Sequence, residues 1–271
     1  MCDRDSVTVA IVGAGEMGAA VGRRLRESGA RVMTSIAGRS AESVERVRDA
    51  GLEVVDDNDS LVRDANFVLS IVPPGVAVEV ADRLRDPLAR AQSKPAFVEC
   101  NAISPATCRR IRDLLGTTTF IDAGIIGGPP VAGTKDPAKG PRFYASGADA
   151  HLLTRLSHFG LDIAILDGPV GAASGVKLSY AGLTKGFTAL CATMMGAAER
   201  DGLADALRAE LARTQPGFLA RIDRAIPDMR PKAYRWVAEM RQIAEFVGAP
   251  EDGATIYEGA AHLYQRIADS V

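Results

Sequence analysis

The stretch "VAIVGAGEMGAAVGRRLRESG" (Val9–Gly29) decides the fold of this chain. A β-branched apolar run passes through three glycines, Gly13, Gly15 and Gly18, into an amphipathic helical segment that would end at Gly29. In this position the first glycine permits a tight turn, the second lets the backbone approach a pyrophosphate, and the third allows the helix to pack closely on the strand. The free N–H groups at the helix start then bind the anion.

This glycine turn predicts a dinucleotide site, because the G-x-G-x-x-G spacing lies between a strand and a helix. The alternative is a tight strand-to-helix turn without a ligand. The predicted cofactor contacts within the turn are Gly13, Gly15, Glu16, Met17 and Gly18.

Apolar runs continue to alternate with helical segments over the next part of the chain. Early runs rich in β-branched residues are typical of strands covered on both faces, and helical segments between them indicate βαβ units and a parallel sheet. The predicted strands are Ser6–Val12, Arg31–Ile36, Leu52–Val55, Asn66–Val72, Ala96–Asn101, Thr118–Ala123, Arg142–Ser146 ("RFYAS") and Asp162–Leu166 ("DIAIL").

The pattern changes near Gly168–Gly175. From Val176 onward the sequence predicts only helices, broken at "TQPG", "IPDMRP" and "GAPEDG". We therefore predict an α/β fold with two domains: a dinucleotide-binding Rossmann-type parallel-sheet domain over residues 1–170, and an all-helical domain over residues 171–271 that serves substrate binding and dimerisation.

Composition and charge exclude several classes of function. A net charge of −2 over 271 residues offers no basic surface for nucleic acid or an anionic membrane. The four cysteines form no C-x-x-C pair, which favours reduced thiols and predicts no metal site. The N-terminus lacks the features of a signal peptide, and the low-charge stretch Phe187–Ala198 is too short to cross a bilayer. The sequence thus predicts a soluble cytoplasmic protein.

The residues after the second predicted strand indicate the type of cofactor. An NAD site usually has an acidic residue there to bind the ribose 2′-hydroxyl, but this chain reads "SIAGRS". Arg39 and Ser40 suit a 2′-phosphate, so we predict NADP(H) in preference to NAD(H). The alternative is that Arg39 is solvated and Ser40 is the N-cap of the next helix.

Two further strand ends border the expected cofactor crevice, "SIVPPGVA" after the fourth strand and "ECNAISP" after the fifth. We predict contacts from Val72 and Pro73, and a hydrogen bond from Asn101 to the nicotinamide carboxamide or ribose. Glu99 and Cys100 are interpreted as residues of the strand itself.

Three segments in this order resemble the β-hydroxyacid dehydrogenase family, which includes 3-hydroxyisobutyrate dehydrogenase and the related 6-phosphogluconate dehydrogenases. They are "GAGEMG", "DAGIIGGPP" and "VGAASGVKLSYA", and the segments "KLSYAGLTKG" and "YRWVAEM" are similar to an uncharacterised branch of it. The family's fold, a Rossmann domain joined by a long helix to a helical domain, covers the whole chain. The resemblance also implies assembly as a homodimer, with a cleft completed by helices of the second subunit.

The family's motifs are matched unevenly. Its lysine, six residues after a Val-Gly, corresponds to Lys177, which takes the catalytic role by resemblance. The asparagine usual four residues later is Ala181, and Ile126 replaces the usual serine of the substrate loop. A downstream Lys-Asp pair falls on Glu239 and Met240.

A second lysine, Lys185, lies in the same segment, "SGVKLSYAGLTKGFTAL" (Ser174–Leu190). At 100° per residue it would lie roughly 80° around the helix from Lys177, so both would border one cleft. We expect Lys177 to act as the general acid/base. Lys185 could bind an anionic substrate group, pair with an acid across the domain interface, or extend to solvent.

The remaining candidates concern the substrate. Backbone N–H groups of Gly127 and Gly128, beside Ile126, would bind a carboxylate or other oxyanion. Trp236 and Met240 could wall the pocket, although their helical spacing is first of all typical of a core.

These observations predict an NADP-dependent oxidoreductase that acts on a small-molecule hydroxy acid or its carbonyl counterpart. An imine reductase is a second possibility, but the resembling imine reductases generally lack a lysine at the position of Lys177. A non-catalytic NADP-binding or redox-sensing protein is the third, since the substrate motifs depart from the family pattern.

Overall fold

The computed structural model describes residues 6–248 and 253–270 of the chain. These residues form two compact units that divide between Lys177 and Leu178, here called the sheet unit and the helical unit. Cys2 and most of the predicted break at "GAPEDG" lie outside the described residues.

The sheet unit is built on one eight-stranded sheet, and each of the eight predicted runs forms a strand of it. The strand order is β3-β2-β1-β4-β5-β6-β7-β8, which places the first and fourth strands side by side at the point where the order reverses. The strands are β1 (Thr8–Val12), β2 (Arg31–Ser35), β3 (Glu53–Val55), β4 (Phe67–Ser70), β5 (Ala96–Glu99), β6 (Phe120–Ile126), β7 (Arg142–Ser146) and β8 (Asp162–Ile165).

The sequence had predicted a parallel sheet, but one of its strand pairs is antiparallel. Strand β7 runs antiparallel to β6, and β8 returns parallel to β7. A parallel neighbour needs a crossover, usually a helix, but only a loop with the short 3₁₀ turn Pro137–Lys139 separates β6 from β7. The 3₁₀ segment Ala150–Phe159 supplies the crossover before β8.

Helices cover both faces of the sheet, which explains the near-continuous apolar strands. Val9 and Ile11 of β1 belong to one buried cluster and Ala10 to the other, so successive residues point to opposite cores. The helices of this part are α1 (Glu16–Glu27), α2 (Ala41–Ala50), α3 (Asn58–Arg63), α4 (Ala77–Arg90) and α5 (Pro105–Leu115).

Only helices follow in the described part of the chain beyond β8. They are α6 (Ala172–Ala181), α7 (Phe187–Arg200), α8 (Ala204–Thr214), α9 (Pro216–Met229), α10 (Ala233–Val247) and α11 (Gly253–Ala268), with a π-helical turn at Gly182–Gly186 between α6 and α7. None of the helices in the described ranges has the length and apolar character needed to cross a membrane. The predicted fold class, a Rossmann-type α/β region followed by helices, is confirmed.

Candidate active site

The glycine turn after β1 has the geometry that the sequence predicted. Gly13 has φ +89°, and a Cβ added there would lie 2.4 Å from the carbonyl oxygen of Ile71 and 2.6 Å from Cγ1 of Val72. Only glycine fits this position, because both the backbone angle and the contact with the end of β4 exclude a side chain. The turn thus brings Gly13 and Val72, two predicted cofactor residues, into contact.

Gly15 and Gly18 serve different purposes in the same turn. A Cβ at Gly15, the N-cap of α1, would meet no atom within 4 Å, whereas one at Gly18 would lie 2.2 Å from the carbonyl oxygen of Gly13. The turn is therefore closed at Gly18, where the helix packs on the strand, and open at Gly15, where a ligand could approach the helix N-terminus. Glu16 is exposed in the first turn of α1, and Met17 packs partly on the core.

A cavity of about 360 Å³ lies beside this turn, and it is called the nucleotide cavity below. Its lining includes Gly13, Ser35 at the end of β2, and Arg39, which follows a turn whose Gly38 has φ +70°. Its volume lies within the range of roughly 300–1,000 Å³ typical of small-molecule sites. The open approach at Gly15 and the cavity beside the glycine turn fit a dinucleotide.

Ser40, unlike Arg39, is not one of the residues that line the nucleotide cavity. Its hydroxyl accepts a hydrogen bond of 3.3 Å from the N–H of Ser43 and is the N-cap of α2, as the alternative interpretation expected. The cavity therefore receives the arginine, while the serine hydroxyl stabilises a helix start.

Asn101 holds the ends of β4 and β5 together. Its side-chain carbonyl accepts a hydrogen bond of 2.6 Å from the N–H of Val72, and its amide donates to the hydroxyl of Ser70 at 2.9 Å. Asn101 is only 3% exposed. It therefore shapes the turn that carries Val72 and the exposed Pro73, rather than projecting freely from it.

Glu99 is a buried acid that sequence reasoning assigned only to the strand. One carboxylate oxygen accepts a 2.9 Å hydrogen bond from the N–H of Asn101, and the other is buried without a hydrogen-bond partner among the described residues. Desolvation raises the pKa of Glu99 to about 8, although the N–H of Asn101 and the charge of Lys177 act in the opposite direction. The only signal in the sequence was an acid at the end of an apolar strand.

Asp122 anchors the start of α6, a role that the sequence did not reveal. Its carboxylate accepts hydrogen bonds from the N–H groups of Gly171 (2.8 Å) and Ser174 (3.2 Å), and from the hydroxyls of Ser174 (2.5 Å) and Ser146 (2.8 Å). The residue is fully buried. A carboxylate on the free N–H groups of a helix start stabilises that start, so β6 fixes where α6 begins.

Lys177 lies near this anchor. A Cβ added to Gly124 of β6 would lie 3.0 Å from Cβ of Lys177 and 2.6 Å from the carbonyl oxygen of Ala173. Glu99 and Asp122 are register partners on adjacent strands, and Gly124 follows Asp122 on the same face of β6. Glycine at 124 therefore lets α6 approach the sheet and places Lys177 above a row of two buried acids.

The loop after β6 contains Ile126, Gly127 and Gly128, the predicted substrate residues. Ile126 is half-buried at the end of the strand, while Gly127 (φ +126°) and Gly128 are exposed. The structure thus leaves the backbone of both glycines accessible.

Arg24 of α1 holds the rest of this loop, which sequence reasoning missed. The guanidinium, 2% exposed, donates to the carbonyl oxygens of Asp136 (3.0 Å), Gly160 (3.1 Å), Val131 (3.1 Å) and Lys139 (3.5 Å). A buried cation among main-chain carbonyls fixes an otherwise irregular and exposed segment.

Lys185 forms an ion pair with Glu239 inside the helical unit, with side chains 23% and 9% exposed. Its Nζ atom also lies 5.2 Å from the ring centroid of Trp236. Of the three possibilities for Lys185, pairing with an acid is observed, but the partner belongs to the same unit and not to the other one. Glu239 therefore balances the charge of Lys185.

The backbone at Lys185 departs from the uninterrupted helix that the sequence predicted. The hydroxyl of Tyr264 donates to the carbonyl oxygen of Lys185 at 2.5 Å and accepts from the N–H of Ala189. These are the two groups that an α-helix would join directly, so the hydroxyl is inserted into the helix at the end of the π-helical turn Gly182–Gly186. The angle of roughly 80° between the two lysines, which assumes 100° per residue, therefore does not apply.

Trp236 and Met240 have different positions in α10. Trp236 is half-buried and packs edge-on against Tyr264, with ring centroids 5.2 Å apart. Met240 is completely buried, as its helical spacing favoured. Lys185, Trp236, Glu239 and Tyr264 thus form one group, called the Lys185 cluster below.

The cysteines and potential metal ligands of the described residues do not suggest a reactive thiol or a metal site. Cys100, Cys108 and Cys191 are free and buried, and desolvation raises the pKa of each thiol. No group of three histidines, cysteines or acids in residues 6–248 and 253–270 could hold a metal ion.

Comparison with protein families identifies the sheet unit. Residues 8–158, more than half of the chain, match the NAD-binding domain of 6-phosphogluconate dehydrogenase. The chain belongs to this family. Residues 198–267 of this family member match a domain of unknown function, DUF1932.

Related proteins agree with this family assignment. An uncharacterised 28.5 kDa protein of Methanothermus fervidus is 26% identical over 207 residues, which cover 76% of this chain and 77% of that protein. A conserved protein of unknown function, whose structure is described as similar to 3-hydroxyacid dehydrogenases, is 29% identical with a TM-score of 0.70, over 97% of this chain and 98% of that one.

The 3-hydroxyisobutyrate dehydrogenase of Mycobacterium tuberculosis, solved with L-serine, has a TM-score of 0.72 at 21% identity, over 97% of this chain and 94% of that one. At that identity the likeness concerns the fold. Together with the family match, it makes this family member an NAD(P)-dependent dehydrogenase of the β-hydroxyacid type.

Proposed function

We propose that this chain is an NADP(H)-dependent oxidoreductase that interconverts a hydroxy acid and the matching carbonyl compound. The observation that carries the proposal is the nucleotide cavity, where Arg39 stands after β2 and Ser35 occupies the strand end at which an NAD site usually has an acid. A guanidinium suits the 2′-phosphate of NADP(H), which NAD(H) lacks.

The glycine turn would hold the pyrophosphate of this cofactor. Gly15 leaves open space at the N-terminus of α1, so the backbone N–H groups of that helix, including those of Glu16 and Met17, can bind the phosphates. Val72 and Pro73, kept in place by Asn101, would line the path toward the nicotinamide. When bound, the nicotinamide supplies or accepts the hydride.

Lys177 would manage the proton of the reaction. Its ammonium group donates a proton to the substrate oxygen during reduction, and the amine accepts the hydroxyl proton during oxidation. The anchor of α6 on Asp122 and the close approach at Gly124 support this role, because both fix the backbone on which Lys177 stands. A general acid/base requires such placement within hydrogen-bond reach of the substrate.

The substrate would be a small hydroxy acid, bound by its carboxylate at the exposed backbone of Gly127 and Gly128, beside Ile126. The L-serine of the related Mycobacterium tuberculosis enzyme is a molecule of this class. Within the helical unit, we assign Lys185 and Trp236 to substrate binding. Because Glu239 balances the charge of Lys185, we assign Lys185 a hydrogen-bonding role in substrate binding, while Met240 lies buried beside Glu239 in the sequence of α10.

A homodimer is the assembly that we propose. Large apolar side chains of the helical unit recur at intervals of three to seven residues on its surface: Tyr180 (55% exposed), Leu183 (75%), Leu190 (63%) and Met194 (56%). Such a set favours association, since burying it against a second copy removes apolar surface from water. Light scattering at micromolar concentration should give twice the mass of the chain, and a monomer would refute the proposal.

A substrate panel tests the proposed reaction. The purified chain is mixed with NADPH or NADP⁺ and with hydroxy acids, sugar acids, aldehydes, keto acids and cyclic imines, and absorbance of NADPH is followed. Turnover of a hydroxy acid or its carbonyl counterpart is the expected result. Turnover of cyclic imines alone would indicate an imine reductase, and tight NADPH binding without turnover a redox-sensing protein.

A further inference from the structure

The nucleotide cavity has a second cationic residue besides Arg39. Its wall on the side of α4 contains Val80, Arg83 and Leu84, of which Val80 and Leu84 are each only 2% exposed. Residues three and four apart share one face of a helix. The face of α4 with Val80 and Leu84 packs into the core of the sheet unit, and Arg83 lies at the edge of that face. No motif in the sequence pointed to Arg83.

We propose that Arg83 is a specificity residue for the cofactor, and that it binds the 2′-phosphate of NADP(H) together with Arg39. This inference deepens the proposed function and rests on it. It adds a residue from α4 to a discrimination otherwise assigned to the residues after β2.

The topology of the sheet places the two arginines around the same space. Strand β1 lies between β2 and β4. Arg39 follows β2, and α4, which carries Arg83, follows β4. Both border the cavity at the carboxyl end of β1, next to Gly13, so a group bound there is approached from either side of that strand.

The charge of the cavity favours an anion. Arg39 and Arg83 are its charged residues, Ser35 and Asn58 are polar, and none of the described residues that line it is acidic. A phosphate monoester carries close to two negative charges near neutral pH, so two guanidinium groups balance it. Each guanidinium can also donate two parallel hydrogen bonds to phosphate oxygens.

Arg83 is available for this role. Its ion pair is with Glu79, one turn earlier in α4, at 3.5 Å and with side chains 58% and 68% exposed. Such exposed pairs stabilise a protein little, because solvent screens them. The guanidinium can therefore exchange Glu79 for a phosphate without a large loss.

Two other roles for Arg83 predict different binding. Stacking of the guanidinium on the adenine ring would strengthen NADPH and NADH alike, since both contain adenine. A purely solvated side chain would influence neither cofactor. Of these three roles, only a contact with the 2′-phosphate would affect NADPH binding and leave NADH binding unchanged.

The test is a fluorescence titration of the full chain with NADPH and with NADH, for the wild type, Arg83→Ala and Arg39→Ala. Removing a hydrogen bond to a charged group should weaken NADPH binding by roughly 10- to 100-fold, with NADH changed less than about twofold. Adenosine 2′,5′-bisphosphate and adenosine 5′-monophosphate repeat the comparison without the nicotinamide half. Arg85→Ala is the matched control, because Arg85 is an exposed arginine of the same helix paired with Asp82 and Asp86.

The outcomes separate the inference from the function on which it rests. Selective loss of NADPH in Arg83→Ala, with Arg85→Ala like the wild type, supports the inference. Equal loss of both cofactors, or no loss in Arg83→Ala while Arg39→Ala loses NADPH selectively, overturns it and leaves the proposed function standing. A wild type that binds NADH as tightly as NADPH, with Arg39→Ala equally indifferent, contradicts the proposed cofactor itself.

Discussion

Lys177 and Lys185 lie eight residues apart in one segment rich in small residues, yet the chain holds them in different ways. At Lys177 the sheet fixes the backbone, through the Asp122 anchor of α6 and the close approach to Gly124. At Lys185 neighbours fix the side chain, since its charge is paired with Glu239 and its ammonium lies over Trp236. The contacts given for Lys177 thus fix its backbone, whereas those of Lys185 hold the charge of its side chain.

Removing each lysine in turn should give the largest difference between the two positions, in turnover. Lys177→Ala should reduce turnover by about 10²–10⁴, as loss of a general acid/base does, while NADPH binding stays close to that of the wild type. Lys177→Arg should also fail, because a guanidinium keeps its proton near neutral pH. Lys185→Ala should chiefly raise KM. Steady-state kinetics on the substrate found by the panel measures both, and turnover that survives in Lys177→Ala but collapses in Lys185→Ala would reverse the assignment.

Removing the acid near each lysine should lower the free energy of unfolding by different amounts. Asp122→Ala leaves two N–H groups and two hydroxyls without their acceptor in a buried site, which should lower the free energy of unfolding by about 3–5 kcal/mol. Glu239→Ala should cost less, about 1–3 kcal/mol, because it leaves one group, the Lys185 ammonium, without its partner and that group retains some access to water. Urea denaturation of both variants gives the two values. Similar losses would mean that the two anchors do not differ as described.

A smaller difference is expected in how the stability of the folded chain depends on pH. Glu99 has a pKa of about 8 in the folded chain, raised by burial, against an ordinary value near 4.5 when unfolded. Below about pH 4.5 the carboxyl is protonated in both states and the shift has no effect on stability. Between the two values the unfolded chain releases the proton first, so stability falls as the pH rises, and above about pH 8 the loss is complete.

Glu99→Gln should remove this loss, because glutamine keeps a carbonyl for the N–H of Asn101 and does not ionise. The stability gained by the variant over the wild type should therefore grow by on the order of 2 kcal/mol between pH 6 and pH 9. Thermal unfolding at a series of pH values measures this difference, with Glu239→Gln as the control from the Lys185 cluster. A gain that is the same at every pH would mean that Glu99 does not titrate in this window.

The sequence predicted the parts of this molecule that depend on local geometry. The glycine turn could be read because Gly13 and Gly18 each satisfy a requirement of a strand and helix adjacent in the chain. The eight strands could be read from their apolar runs. The direction of β7 could not, since it depends on whether the loop after β6 contains a crossover helix.

Contacts between residues far apart in the chain could not be predicted from the sequence. Lys185 and Glu239 are 54 positions apart, and Asp122 and Ser174 are 52 apart. Nothing in the local pattern pairs them. The π-helical turn was also missed, because the residues of that segment suit an ordinary helix and the hydroxyl that contacts its backbone belongs to Tyr264, 79 positions away.

Arg24 restricts the conformations of the loop after β6, which the residues of that loop would not do by themselves. Residues 128–140 are mostly exposed and contain three prolines and three glycines, a composition that would leave such a segment with many conformations in isolation. By gathering its main-chain carbonyls on one guanidinium, the third turn of α1 restricts that freedom while the chain folds. A ligand that reaches Gly127 and Gly128 therefore meets a pre-organised loop, so little ordering entropy is lost at the moment of association. The helix that begins at the glycine turn therefore also fixes the loop after β6, near its own other end.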